Sequence, residues 1–213
     1  MFIVEHKHFL NMRIHFISIM DSRVDKLIFF LKEIDKCKVI ERRIWCTGLN
    51  HVESDAEHSW HVAMFLILFE KDLPKDLDFA RMLKLALIHD LVEVYTGDTF
   101  AYDKEGRESK KEREAKSAEK LFSLLPEDLQ KDFNALLNEY EEKKTRESQF
   151  VHSFDKIQPI LQNLITNGKT WKTHNVKYKD IDNYKRNMMT HNNLMLEVYE
   201  KLLSEAKSKG ILD

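Results

Sequence analysis

Three short stretches of this sequence put ionisable side chains where apolar ones are expected. In LALIHDLVEVYTGD, Ala86, His89, Asp90 and Glu93 fall at i, i+3, i+4 and i+7, so a continuous helix would gather three polar groups on one face. Leu83, Leu85, Leu87, Ile88, Leu91 and Val92 make the rest of that helix apolar nearly all round, the pattern of a buried helix. In FVHSFDKIQPILQNL, Asp155 sits beside the stripe Val151, Phe154, Gln158 and Leu161. In AEHSWHVAMF, His58 shares a helical face with Val62 and Phe65, which directs its imidazole inward. Burying such groups without partners costs on the order of several kcal/mol, and a jointly held divalent cation would offset that cost. Neutral imidazoles with carboxylates suit Mn, Fe, Co, Ni or Zn better than Ca. Taken singly, each feature has a plainer reading: His58 as a core histidine, His89-Asp90 as a chance dipeptide, Asp155 as half of a buried ion pair.

The elements that must position these groups read as helices. Of 213 residues only 5 are Gly and 3 are Pro, so few residues interrupt the chain and an all-α fold is expected. Val24, Leu27, Ile28, Leu31 and Ile34 predict a first helix to about Val39, with Asp21 or Ser22 as N-cap. Residues 41 to 54 lack periodicity and read as a loop. A second helix is expected from about Ala56 to Lys71, and a third from a cap at Asp78 to Tyr95, stopped by Gly97. Lys110 to Leu125 predicts a fourth, and Pro126 suits the first turn of a fifth. A sixth spans about Glu147 to Asn167, and a seventh about Ile181 to Ala206. One domain of about seven main helices follows, over residues 21–213, with residues 1–20 a leader of uncertain structure.

A net charge of -2, from 34 basic and 36 acidic side chains, gives no field for nucleic-acid binding. Cys37 and Cys46 match neither a disulfide framework nor a zinc motif and suit a reducing cytoplasm. No stretch holds the roughly 18 apolar residues of a membrane span, and the leader lacks the features of a signal peptide.

The order His58, His89-Asp90, Asp155, each on an expected helix, resembles the HD-domain phosphohydrolase superfamily. More narrowly, the chain is similar to its members related to bacterial 5'-nucleotidases that act on deoxyribonucleoside monophosphates. The segments that carry the likeness are IERRIW, DAEHSWH, LIHDLVEVYTGDTFAYD, LLPEDL, NEYEEKKTRESQF, SFDKIQPIL and GKTWKTHNV, covering about residues 24 to 205. The resemblance implies a helical bundle in which His58, His89, Asp90 and Asp155 hold one divalent transition metal (Mn, Co, Fe, Ni or Zn, in preference to Mg). It implies that Glu93 orients or deprotonates a metal-activated water, and that Asp98 helps bind substrate or aids the leaving group. Arg42, in R-x-x-W with Trp45, matches a family arginine that touches phosphate, with Arg43 one residue away as the competing register. Asn50 and His51 stand where relatives carry a further basic residue, which puts part of the charge recognition in doubt. Trp171 and His174 match a W-x-x-H pattern that either stacks on a base or packs the loop down. Asp98, just beyond a helix end, could instead be a turn residue held by Gly97. Hydrolysis of a nucleoside 5'-monophosphate, by a cytoplasmic homodimer, is the expected function. Attack on a triphosphate or another phosphorylated metabolite, or nucleotide sensing without turnover, are the alternatives.

Overall fold

The computed structural model describes residues 22–48 and 50–213; the leader lies outside the described residues. Ten α-helices and one two-stranded antiparallel sheet make up these residues, so the all-α expectation holds. Helix α1 (Arg23–Ile34) runs into a 3-10 turn, Asp35–Lys38, and Ser22 is its N-cap, accepting from Asp25 N. Its buried face differs from the simple apolar stripe. Phe30 is buried while Val24 and Leu31 are exposed, because the helix meets its neighbours along the Leu27, Phe30 and Ile34 edge.

The expected loop over residues 41–54 is instead a hairpin, β1 (Glu41–Trp45) against β2 (Val52–Ser54), pairing Glu41 with Ser54 and Trp45 with Val52. Strands this short carry too little alternation to declare themselves, and an irregularity between the paired ends blurs it further. β2 feeds directly into α2 (Asp55–Phe69). Ser54 caps that helix with a reciprocal box: its hydroxyl accepts from Glu57 N while the Glu57 carboxylate accepts from Ser54 N.

Helix α3 (Phe79–Ile88), capped by Asp78, stops well short of Tyr95. His89 is its C-cap, and Leu91–Val94 follows as a separate 3-10 turn before Gly97, at φ +71, ends the segment. The break has a physical use. Adjacent residues on an unbroken helix do not face each other, whereas here His89 Nε2 and Asp90 Oδ2 lie 3.2 Å apart. Helices α4 (Lys104–Glu108), α5 (Lys110–Phe122) and α6 (Glu127–Glu142) follow, with Pro126 just before α6 as its N-cap.

Helix α7 (Arg146–Ile165) is the axis of the bundle, packed against α2, α3, α6 and α10. Phe150, Val151, Phe154, Ile157 and Ile160 are all at most 2 % exposed, and they meet Val62, Leu66, Met82 and Leu85 in one core. Pro159 sits within α7 and offers no N–H to the carbonyl of Asp155 four residues before it. The segment after Gly168 holds a short helix, α8 (Lys169–Thr173), where a loop was expected. The expected last helix is two: α9 (Tyr178–Lys185), prolonged by the 3-10 turn Arg186–Met188, and α10 (Asn193–Ser208). The Asn192 side chain caps α10 by accepting from Leu194 N, a start signal hidden inside an otherwise helical pattern.

Candidate metal centre and cleft

His58 lies one turn into α2 and is 0 % exposed, fixed there by the Ser54 cap below and Val62 and Phe65 above. Its Nδ1 is 2.9 Å from Gln158 Oε1 on α7. The amide of Gln158 is oriented by Glu53, whose Oε1 accepts from Gln158 Nε2 at 2.5 Å. A carboxylate oxygen can only accept, so Oε1 of the amide must face His58, and His58 Nδ1 must be the donor. Nε2 is therefore left with a lone pair, and 3.1 Å from it stands Asp155 Oδ1, another acceptor. His89 repeats the arrangement. Its Nδ1 donates to the Ala86 carbonyl at 2.9 Å, and the lone pair on Nε2 faces Asp90 Oδ2 at 3.2 Å with no hydrogen-bond donor within reach among the described residues.

Two buried lone pairs each facing a carboxylate need a positive charge between them, either a proton or a metal ion. Burial pushes the His58 imidazole down to about 4, with Arg42 adding to the effect, so a proton is disfavoured there. At His89 burial acts the same way, but Asp90 and Asp155 outweigh it and the net shift is upward. That attraction is equally available to a cation. One donor atom from each of His58, His89 and Asp155 lies within 4.8 Å of the others, and His58 Nε2 is 3.8 Å from Asp90 Oδ2. Ligand bonds of about 2.0–2.2 Å put neighbouring donors of one ion roughly 3–4 Å apart, so the set fits a transition metal. The chain brings His58, His89 and Asp155 together from α2, the α3 end and α7, and sets Asp90 beside the two imidazoles, where it also groups with Asp55 and Glu93.

The surroundings are anionic. Asp155 Oδ2 accepts from the Tyr140 hydroxyl and lies 2.8 Å from Lys156 Nζ; burial alone would raise its pKa, but Lys156 and His58 hold it well below the usual carboxylate range. Arg42 is not a free clamp. Its guanidinium lies 2.8 Å from Asp90, 3.4 Å from Glu53, 3.5 Å from Asp55 and 3.7 Å from Asp98. Even so, burial pushes Glu53 up to about 7 and Asp55 up to about 8, the latter helped by Asp90. Glu93, on the 3-10 turn, is 2 % exposed and accepts from Lys110 Nζ at 2.9 Å, while its other oxygen has no partner among the described residues. Burial and then Asp90 push the Glu93 carboxyl well up, against the pull of Lys110.

Of these residues Arg42, Asp90, Glu93, Lys110, Asp155 and Lys156 line a cleft, bordered also by Asp98, Phe100, Tyr102, Trp171 and Lys185. Arg43 borders it as well, its guanidinium over the Phe100 ring. Trp171 is 4 % exposed and lines the inner wall. Trp45 and His174 are not among the lining residues. The Trp45 ring lies under Lys169 Nζ at 3.2 Å, and the His174 ring lies against Phe100, centroids 4.7 Å apart and planes tilted by 44°. Trp60 is 62 % exposed, whereas its neighbour His61 reaches Gln158 at 3.2 Å. Sequence reasoning gave no role to Glu53, Asp55, Gln158, Tyr140, Lys110 or Lys156. Only Gln158 carried a signal, as a polar residue in the apolar stripe of α7.

The fold and this centre define a class, and the family profile described as HD domain matches residues 34–195. The chain belongs to the HD domain family. Among solved structures it is similar to one from Magnetospirillum magnetotacticum MS-1 described as a predicted metal-dependent phosphohydrolase. The TM-score is 0.84 at 36% sequence identity, covering 91% of this chain and 97% of that one. It is also similar to the 5'-deoxynucleotidase HDDC2 of Bos taurus, 36% identical over 138 residues that make up 64% of this chain and 65% of the relative. The Homo sapiens 5'-deoxynucleotidase HDDC2 is 33% identical over 138 residues, 64% of this chain and 66% of its own. The matched stretch thus spans just under two thirds of the bovine and human relatives.

Proposed function

We propose that the chain is a metal-dependent phosphohydrolase that cleaves the 5'-phosphate of (deoxy)nucleoside monophosphates, releasing the nucleoside and inorganic phosphate. The observation that carries this reading is the pair of buried imidazole lone pairs facing, at 3.1 and 3.2 Å, the carboxylates of Asp155 and Asp90, which themselves line the cleft. His58, His89, Asp90 and Asp155 would hold the cation. Bound there, a divalent cation would act as a Lewis acid toward the phosphoryl group and lower the pKa of nearby water.

The chain's own groups supply the rest. Glu93 takes a proton from the attacking water; burial and then Asp90 push its carboxyl up, which strengthens its carboxylate as a base. Lys110 holds Glu93 in place through Oε1 and leaves Oε2 free for that proton. Asp98, near Arg42 at the cleft wall, is placed to bind substrate or to assist departure of the 5'-oxygen. Arg42 balances the acidic floor, while Phe100, Tyr102 and Trp171 offer apolar surface for a nucleoside. The names of the similar bovine and human proteins support the deoxynucleotide preference.

The ligand chemistry favours Mn, Fe, Co, Ni or Zn over Mg. The α2 face bearing Trp60, Ile67 and Leu68, exposed at 62%, 47% and 72%, supports a homodimer. No described helix is long and apolar enough to cross a membrane, and both cysteines are free thiols, which supports a cytoplasmic location. A phosphate-release screen over nucleoside mono-, di- and triphosphates, with Mn, Co, Mg and Zn in turn, tests the reading. Inorganic phosphate from monophosphates is the expected product; release of pyrophosphate or triphosphate instead would redirect it to triphosphate hydrolysis.

A further inference from the structure

Arg42, the residue expected to grip phosphate, has its guanidinium within 3.7 Å of carboxylates on Glu53, Asp55, Asp90 and Asp98. One cation shared among four carboxyl groups, of which Asp90 is the nearest, has little left to offer a phosphate. Lys110 is likewise engaged by Glu93 and Glu114, and Lys156 by Asp155. A phosphate monoester entering the cleft must find its counter-charge elsewhere.

Arg43 and Arg107 border the cleft too, but both are exposed, one over the Phe100 ring and the other bonded to the Ala101 carbonyl and the Tyr184 hydroxyl; among the described residues Lys185 is the buried cation in the wall that no carboxylate engages. It ends α9, is 5 % exposed, and borders the same cleft as Asp90, Glu93 and Asp155. Its Nζ makes one hydrogen bond, 2.7 Å to the Lys156 carbonyl, and no carboxylate lies within ion-pair distance of it among the described residues. An ammonium carries three donors, so two remain for a ligand. Burial without an anion is costly, and it shows: desolvation and the Lys156 charge push Lys185 down to about 7. The position is braced from both sides. The preceding Tyr184 accepts from Arg107 at 2.7 Å, and the following Arg186 pairs with Asp182 and Glu200. Lys185 also occupies the last turn of its helix, where the helix dipole favours a cation. A buried lysine so held, beside the candidate metal centre and lacking an anion, is built to receive one.

We propose that Lys185 binds the substrate phosphoryl group directly and is a main determinant of affinity for phosphate monoesters. This rests on the phosphohydrolase reading and assigns its phosphate grip to the α9 end rather than to Arg42.

The test uses the full-length, Mn-loaded protein and calorimetric titration with inorganic phosphate and, separately, with deoxyadenosine. Lys185→Met keeps an unbranched apolar stem and removes the charge. Phosphate affinity should fall about tenfold to a hundredfold, with deoxyadenosine affinity and metal content unchanged. KM for a monophosphate should rise more than kcat falls, and Lys185→Arg should recover part of the loss. Phosphate affinity within twofold of wild type in Lys185→Met overturns the proposal. If that variant does not fold, ¹⁵N-lysine-labelled wild-type protein decides: the Lys185 ammonium resonance must shift on phosphate addition, and an unmoved signal overturns the assignment. A wild-type protein that binds phosphate through Lys185 yet hydrolyses no nucleotide would sink the nucleotidase reading and leave this one standing. Full turnover with unaltered phosphate binding in Lys185→Met would do the reverse.

Discussion

Replacing Gln158 by Leu isolates the device that sets the His58 tautomer. The side chain is 0 % exposed and of similar volume to Leu, so the change opens little cavity. It strips His58 Nδ1 of its acceptor at 2.9 Å and Glu53 Oε1 of its donor at 2.5 Å. A buried polar group left without a partner costs about 1–3 kcal/mol, so two cost about 2–6 kcal/mol. For a chain of this length each kcal/mol moves Tm by about 2–4 °C, which predicts a drop of roughly 5–20 °C. The metal-dependent effect is separate. Without an acceptor at Nδ1 the imidazole proton can move to Nε2 and bond Asp155 Oδ1, competing with a cation for both groups. Loss of such a supporting partner typically weakens metal binding about 10- to 100-fold. Competition against a fluorescent chelator at fixed pH measures the affinity, and circular-dichroism melts with and without Mn measure the stability. A folded Gln158→Leu protein whose metal affinity stays within twofold of wild type would refute the tautomer reasoning.

Glu93→Gln should retain metal, by elemental analysis, while steady-state phosphate release falls about 10²- to 10⁴-fold; turnover at the wild-type rate would remove Glu93 from its role. Ser54→Ala removes the hydroxyl half of the cap below His58, keeps the backbone half from Ser54 N to the Glu57 carboxylate, and should cost about 1 kcal/mol, read as a Tm lower by about 2–4 °C. Chelation of the metal from a sample held at about 100 times its Kd should remove about 2.7 kcal/mol of stability, or about 5–10 °C in a melt. Burial and then Asp55 push the Cys37 thiol up to about 12, so its thiolate is scarce at neutral pH and grows about tenfold per pH unit below that value. Iodoacetamide followed by mass spectrometry should find Cys37 nearly unmodified at pH 8 in the folded protein, and rapid labelling there would contradict its burial.

The helical plan was legible because α2, α5, α6 and α7 carry long periodic stripes and Pro126 marks the start of α6; the Ser54–Glu57 box and the Thr145 cap came to light only in the structure. What escaped was decided by tertiary contacts. α3 ends at Ile88 although its apolar pattern continues to Val94, because His89 and Asp90 turn toward a shared point that an unbroken helix would deny them. The β1–β2 hairpin and the α9–α10 break are too short, or too well disguised by helix-forming neighbours, to register in a periodicity. At the site, His58, His89, Asp90 and Asp155 were readable as polar residues out of place on apolar faces. Glu53 and Asp55 were not, since acidic residues in a polar stretch look solvated; only the hairpin turns them under Arg42. Lys185 was hidden for the same reason, because lysine is the least informative residue until its surroundings are known.

The most direct test is anomalous diffraction from crystals of the Mn-loaded protein, recorded at a wavelength where the ion scatters strongly. A single strong peak is expected about 2.0–2.4 Å from His58 Nε2, His89 Nε2, Asp90 and Asp155, with Gln158 still accepting from His58 Nδ1. No peak there, or a peak only at Cys46, His51 and Glu57, where a second group of donors lies within 4.8 Å, would contradict the assignment of the metal centre.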